Sequence, residues 1–247
     1  MEATFQEKLA KRTAMFEEGR ELIENNQKLI TEDGGRREFE FCGEKFVNFL
    51  DVFYLDGHQT QALNLPEETE EGARFLEIGC GTGCISVIHY LRNKSKLSYV
   101  LATDINQQAI ENARANFERH AIPGEVRYSD VYESIREGEK FDMIFWNAPY
   151  SFVPIEKADH LTMLDRSMAD PGYEAIGRFV TEAHEHLRPG GKVIMGFSAG
   201  YGMLEVLDEK AKKANLKLKR IWHELGKIGD IVEESELWQI LPIGAVE

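Results

Sequence analysis

Asn147-Ala148-Pro149-Tyr150 brings together groups that could hold a planar amino group. The Asn147 side-chain oxygen can accept one N–H and the Ala148 backbone carbonyl a second. Pro149 restricts Ala148 to extended geometry, which aims that carbonyl. Tyr150 offers a flat surface that can stack on an amide or a base. A nitrogen held this way and directed at an electrophilic methyl needs no strong base beforehand, because positioning supplies much of the rate. The proton can leave afterwards. The same four residues could also make a plain turn.

A second constellation lies upstream. In FLEIGCGTG, Gly79, Gly81 and Gly83 surround Cys80 and follow an apolar run that ends at Glu77-Ile78. Glycines there permit tight dihedrals and close backbone approach by a ligand. A dinucleotide fingerprint would need glycine at position 84, which is Cys84, and a phosphate-binding GK[ST] is absent. Asp104 ends the apolar run YVLAT, 25 residues after Gly79. Its carboxylate could accept hydrogen bonds from both hydroxyls of a ribose, and it could also cap the helix that follows. Ile105 could pack on one face of an adenine. Asp130, or the adjoining backbone at Val131, could meet the base edge; a turn-forming aspartate is the alternative.

These residues need a scaffold that gathers them. Residues 74–78, 98–104, 125–130, 141–147 and 192–198 read as strands, and 106–120, 174–187 and about 202–214 as helices. RPGG at 188–191 reads as a turn into the strand at 192, and 148–170 as irregular. LKLKRIWHELG and ELWQILPI read as closing strands. The expectation is a Rossmann-like, seven-stranded, mostly parallel sheet with helices on both faces and an antiparallel hairpin at the end. Ligands bind such sheets beyond the carboxyl ends of the strands, where the candidate residues fall. Residues 1–30 read as a helix, and 37–41 with 45–50 as a hairpin around Cys42-Gly43-Glu44. The charged stretch PEETEEG (66–72) divides a 1–70 extension, a substrate lid by expectation, from a 71–247 core.

The chain has 247 residues, with 29 Lys plus Arg against 43 Asp plus Glu, for a net charge of −14. Its 43% hydrophobic content supports one sizeable core and argues against a disordered acidic chain. Three cysteines cannot close a disulfide framework, and CxxxC alone is weak as a zinc site, so no metal is expected. The N-terminus has no apolar segment of a signal peptide, and no run approaches 18 apolar residues. A cytoplasmic protein without membrane contact is the default expectation, and the oligomeric state is left open.

Taken together, EIGCGTG, the strand-end Asp104 and NAPY resemble motifs I, II and IV of the class I S-adenosylmethionine-dependent methyltransferases. The (N/D)PP(Y/F) form of the last motif marks amino methyltransferases, including release-factor glutamine methyltransferases and enzymes acting on exocyclic amines of adenine or guanine. The resemblance covers roughly 70–200, and RPGGKVIMGF looks like the usual passage from helix to fifth strand. It implies S-adenosyl-L-methionine as cofactor. It places Glu77, Gly79, Cys80, Gly81 and Gly83 around the methionine end, Asp104 and Ile105 at the ribose and adenine, and Asp130 and Val131 near the adenine edge. Asn147, Ala148, Pro149 and Tyr150 form the amino-group clamp, and Asn147 also counts among the cofactor-binding residues. Ala148 departs from the double-proline form, although its carbonyl survives.

Several residues could shape an acceptor site. Phe53, Tyr54 and Thr60 could wall the methionine end or simply pack. Asp165, Arg166, Asp170 and Tyr173 could meet a polar substrate or belong to a connecting loop. His58 and His160 sit in polar loops and read as solvated, and Trp146 as core. The basic run Lys210, Lys212, Lys213, Lys217, Lys219 and Arg220 is offset by Glu205, Asp208 and Glu209 and reads as a solvated face. No arginine stripe interleaves with aromatics to grip RNA or DNA. The expectation is therefore methylation of nitrogen on a small molecule or protein side chain, with an RNA or DNA base second and a non-catalytic scaffold subunit third.

Overall fold

A computed structural model of the chain describes residues 4–54, 64–68, 70–228 and 231–244. The strands of its central sheet are β3 (Ala73–Ile78), β4 (Leu97–Asp104), β5 (Gly124–Tyr128), β6 (Phe141–Asn147), β9 (Leu187–Phe197), β10 (Leu216–Ile228) and β11 (Ile231–Pro242). They lie in the order β10-β11-β9-β6-β3-β4-β5. β11 runs antiparallel to both of its neighbours, and the other pairings are parallel. Seven mostly parallel strands with flanking helices and an N-terminal helix and hairpin are the architecture that the sequence pattern predicts.

The sheet is apolar on both faces, so its strands alternate between two cores rather than between core and water. Phe75, Met143 and Phe145 face one core with Ile85, Val87, Ala113 and Phe117. Leu76, Ile144 and Phe141 face the other with Ile176, Phe179, Val180 and Met195. Helices α2 (Cys84–Asn93) and α3 (Gln107–Arg119) cover the first face. Helices α4 (Glu174–Glu182) and α5 (Leu204–Lys213) cover the second.

Register brings the candidate residues to one edge. Ile78 pairs with Thr103 of β4 and with Trp146 of β6, so Gly79, Asp104 and Asn147 are each the next residue along. From β3 the chain continues to β4 and β5 on one side, while β6 and β9 lie on the other. The crevice above this reversal is where such sheets place ligands.

Three local expectations change. RPGG is not a turn before the strand but lies inside β9. While β6 advances from Phe141 to Met143, β9 advances from Leu187 to Lys192, so the glycines and proline form a bulge. Residues 148–170 are not wholly irregular. β7 (Ser151–Val153) and β8 (Ala169–Pro171) pair in parallel, with 3-10 turns at Ile155–His160 and Asp165–Ser167 between them. The helix predicted to 187 ends at Glu182 and tightens into a 3-10 turn over Ala183–His186.

The extension begins with α1 (Phe5–Glu32), capped by Thr4 and Glu7 in a reciprocal capping box. Hairpin strands β1 (Arg36–Phe41) and β2 (Glu44–Phe49) follow. Cys42 and Gly43 both have positive φ, 56° and 79°, the geometry of a two-residue hairpin turn. β2 is stitched to the core by asparagines of α3: Phe49 N–H donates to Asn112 Oδ1 (2.8 Å) and Val47 N–H to Asn116 Oδ1 (2.9 Å). All three cysteines are free thiols. No helix among the described residues is long and apolar enough to cross a membrane.

Candidate active site

A cavity of about 400 Å³ opens at the carboxyl ends of β3, β4 and β6. The glycine loop forms its floor, and each glycine is required for its own reason. Gly79, Gly81 and Gly83 all have positive φ, which disfavours a side chain. At Gly79 a Cβ would also lie 2.3 Å from Trp146 Nε1, and at Gly83 3.0 Å from the Ala113 Cβ. At Gly81 the nearest atom would be the Phe53 carbonyl oxygen at 3.6 Å, so only the backbone conformation excludes a side chain there. Cys80 lines the cavity and its N–H donates to Thr103 O (2.9 Å). Burial pushes the Cys84 thiol up to about 12 and Cys80 likewise well above its usual range, so neither supplies a thiolate nucleophile.

Glu77 borders the cavity, but its carboxyl turns away to accept the Ser86 N–H (3.0 Å) and hydroxyl at the start of α2. Burial pushes it up to about 8, against the opposing bonds from Ser86. It holds the loop against the helix.

Asp104 holds the same loop from the other side. Its Oδ2 accepts the Gly81 N–H (2.9 Å) and its Oδ1 the Asn106 N–H (2.8 Å). The helix cap itself is Asn106, whose side chain accepts the Gln108 N–H (3.0 Å). Burial pushes the Asp104 carboxyl up, and the backbone N–H groups of Asn106, Gly81 and Ile105 pull it down. Each carboxylate oxygen accepts more than one bond, so a diol can still be received. Ile105 is exposed at the mouth beside it.

Asp130 and Val131 also line the cavity. Val131 has φ 53°, held by Ser129 Oγ, which donates to Val131 O (2.9 Å) and accepts the Ser134 N–H (3.0 Å). Its own N–H makes no hydrogen bond among the described residues. Asp130 forms an ion pair with Arg178 of α4. Arg178 carries no sequence signal, being one arginine on the polar side of a helix.

At the tip of β6, Asn147 is half-buried, and its amide makes no hydrogen bond among the described residues. Gly196 lies opposite, and a Cβ there would sit 2.5 Å from Asn147 Oδ1, so glycine makes room for the amide. Ala148 and Pro149 are buried and Tyr150 half-buried, with all three lining the cavity. Trp146, expected as core, is 8% exposed and borders the cavity under Gly79.

The remaining candidates divide. Phe53 lines the cavity, whereas Tyr54 is buried against Phe39, with ring centroids 3.7 Å apart. His58 and Thr60 lie outside the described residues. His160 is exposed, as expected. Asp165 does not reach the cavity: it accepts from Thr162 N–H (2.8 Å) and pairs with Arg20 Nε (2.8 Å). Asp170 lines the cavity, yet its carboxylate accepts the Ile176 N–H (2.8 Å), and burial pushes it up to about 6. Tyr173 is fully buried, so it cannot face a substrate. Arg166 alone of the acceptor-side set keeps an exposed charge at the mouth, beside Ile155 and Met163.

The donor set suits an adenosyl ligand: glycines that admit close approach, a strand-end carboxylate, and the Val131 N–H beside a second carboxylate. Over 142 residues the chain is 32% identical to a release factor glutamine methyltransferase of Koribacter versatilis, covering 54% of this chain and 49% of that protein. Over 120 residues it is 31% identical to ribosomal RNA small subunit methyltransferase C of Haemophilus influenzae, covering 49% and 31%. The chain thus spans half or less of the length of these relatives. Among solved structures it resembles the T. thermophilus 16S rRNA N2 G1207 methyltransferase in complex with AdoMet and guanosine. That likeness has a TM-score of 0.57 and 18% identity, over 84% of this chain and 50% of the other. The family model of the methyltransferase small domain matches residues 56–220, well over half of the chain. The protein belongs to that family, on a class I S-adenosylmethionine-dependent methyltransferase fold.

Proposed function

We propose that the chain N-methylates the exocyclic amino group of a nucleobase in RNA. The observation that carries this reading is Asn147: an amide with no hydrogen bond among the described residues, at the tip of β6, beside the glycine loop. Its Oδ1 and the Ala148 carbonyl accept the two N–H bonds of a planar amine, and Tyr150 stacks on the ring that bears it. When bound, S-adenosylmethionine supplies an electrophilic methyl on a sulfonium. That methyl would pass to the clamped nitrogen as its bond to sulfur breaks, and the surplus proton would leave to solvent when the site opens. The chain's own contribution is orientation and exclusion of water, which can supply most of the barrier reduction.

In this reading Gly79, Cys80, Gly81 and Gly83 cradle the methionine end, with Glu77 behind them. Asp104 takes the ribose hydroxyls and Ile105 one face of the adenine. The Val131 N–H and the Asp130 carboxylate read the adenine edge. Val52 and Phe53 wall the cavity, and α1 braces that segment from behind: Gln27 Nε2 donates to Val52 O (3.1 Å) and Asn26 Nδ2 to Tyr54 O (2.7 Å).

The acidic balance favours a protein or small-molecule acceptor. Relatives named for ribosomal RNA, and one structural neighbour so named, support the reverse order. An unstacked base enters a pocket by stacking and edge contacts, which the whole-chain charge does not describe. Ile155 and Met163 offer apolar flanks for such a base and Arg166 a cation for its phosphate. A glutamine amide fits the same clamp, and the release-factor relative and the charge of −14 favour that second reading. Labelled-methyl transfer to separated RNA and protein fractions tests the order. Label in RNA that alkaline digestion returns as a mononucleotide with an N-methylated base is expected; label in protein alone would overturn it.

A further inference from the structure

We infer that Tyr173 is a positioning residue for the loop Asn147–Tyr150, and that Arg12 of the N-terminal helix acts on that loop through it. The inference rests on the clamp role proposed for that loop. The departure at position 148 is its starting point. The Ala148 N–H donates to Gly196 O (3.0 Å), one step beyond the last β6–β9 pair, Asn147 with Gly196. A proline has no N–H, so this anchor exists only because position 148 is not proline. One end of the loop is therefore held by the sheet.

The other end is held by Tyr173. Its hydroxyl donates to Tyr150 O and accepts the Met203 N–H (2.9 Å). Its ring is wedged edge-on between Phe152 (5.1 Å) and Phe197 (5.9 Å). Its backbone is left-handed, φ 50°, a conformation that a bulky residue adopts only when its surroundings enforce it. Burial keeps the hydroxyl protonated, so it remains a donor.

Behind Tyr173 the bonds continue to the extension. Gly202 packs so closely that a Cβ would lie 2.8 Å from Tyr150 O and 2.3 Å from Phe197 Cζ. Arg12 Nε donates to Gly202 O (3.2 Å) and Arg12 Nη2 to Ala199 O (3.3 Å). A guanidinium on α1 thus fixes the 199–203 turn, the turn fixes the Tyr173 hydroxyl, and that hydroxyl fixes the Tyr150 carbonyl. Arg12 lies outside the 56–220 family match.

The test compares Tyr173→Phe, Arg12→Ala and the double variant, assayed well below their unfolding temperatures with total RNA as acceptor. Tyr173→Phe should lower kcat about tenfold and leave S-adenosylmethionine affinity within about twofold, since a misplaced acceptor clamp slows transfer without touching the cofactor. Arg12→Ala should lower kcat about threefold, and the double variant should lose less than the product of the two, because both act on one network. Hydrogen exchange at Ala148 and Ser151 should quicken in both single variants while β3 amides stay protected. Unchanged kcat in Tyr173→Phe, or independent effects of the two changes, would overturn the inference. If the wild type methylated no RNA, the functional reading would fail on its own. The exchange experiment would still decide the positioning role, and unaltered exchange at Ala148 and Ser151 would reject it.

Discussion

The two sides of the crevice are built on different terms. On the β3–β4–β5 side the backbone shapes the site: three glycines have positive φ, and carboxylates at Glu77 and Asp104 brace the loop through its own N–H groups and through Ser86. On the β6–β9 side, residues far away in sequence surround the tip of the strand. Tyr173, Gly196, Gly202 and Arg12 set where Asn147 and Tyr150 lie. A cofactor pocket can be specified by one short run because the ligand meets backbone. An acceptor clamp must be aimed, and aiming needs support from several elements.

This division between the two sides is broken most sharply at Gly79. Gly79→Ala combines left-handed backbone with a Cβ 2.3 Å from Trp146 Nε1. It should destabilise by about 2–4 kcal/mol and abolish detectable cofactor binding. Calorimetry beside a melting curve checks this, and an unaltered affinity would show that the loop is not the floor of the cofactor site. Asp104→Ala removes a brace and the proposed ribose acceptor together. Cofactor affinity should fall about 10- to 100-fold, as expected for lost hydrogen bonds to a charged group, with acceptor KM little changed. Equal weakening of both ligands would blur the two sides.

pH gives an intermediate effect. Burial holds the Glu77 carboxyl at about 8, above its ordinary 4.5. A group whose pKa is raised on folding stabilises fully below its unfolded value and loses that contribution as pH rises through the folded one. The Glu77 contribution to unfolding free energy should therefore decline between about pH 4.5 and pH 8, with a slope of at most about 1.4 kcal/mol for each pH step of one. Glu77→Gln keeps the acceptor for Ser86 and should flatten that slope; a slope that persists would assign it to other groups. The smallest effect is expected at the Asp130–Arg178 pair, which is part-exposed. Arg178→Ala should weaken cofactor binding only about two- to threefold, in line with a screened ion pair. A titration showing a loss beyond about tenfold would place Arg178 among the direct ligand contacts.

The same asymmetry explains what can be read from the sequence. GxGxG, the strand-end Asp104 and NAPY each combine residue type with a strand end, and the alternation of strands and helices places all three at one edge. The boundaries of β6 are legible because its MIF run is buried on both faces. The short β7–β8 pair is not, since three-residue strands leave no periodicity and their pairing joins residues 151 and 169. RPGG reads as a turn wherever local rules apply, and only the neighbouring β6 makes it a bulge. Tyr173 reads as an acceptor contact because it lies in a polar stretch; its burial depends on Phe152 and Phe197, which sequence spacing does not bring near it. Gly196 carries a weak signal as the glycine of KVIMGFS, but its purpose shows only opposite Asn147. The order of acceptors, drawn from net charge, is the least legible reading, since whole-chain charge does not describe any one pocket.

Asn147 is proposed to aim the acceptor, its share in cofactor binding being small beside that of Asp104 and the glycine loop. Asn147→Ala, measured for S-adenosylmethionine affinity by calorimetry and for labelled-methyl turnover on RNA, tests it directly. Affinity should stay within about twofold and turnover should fall by at least about tenfold, the pattern of an interaction made chiefly with the acceptor. Turnover equal to wild type, or a matching loss of cofactor affinity, would contradict it.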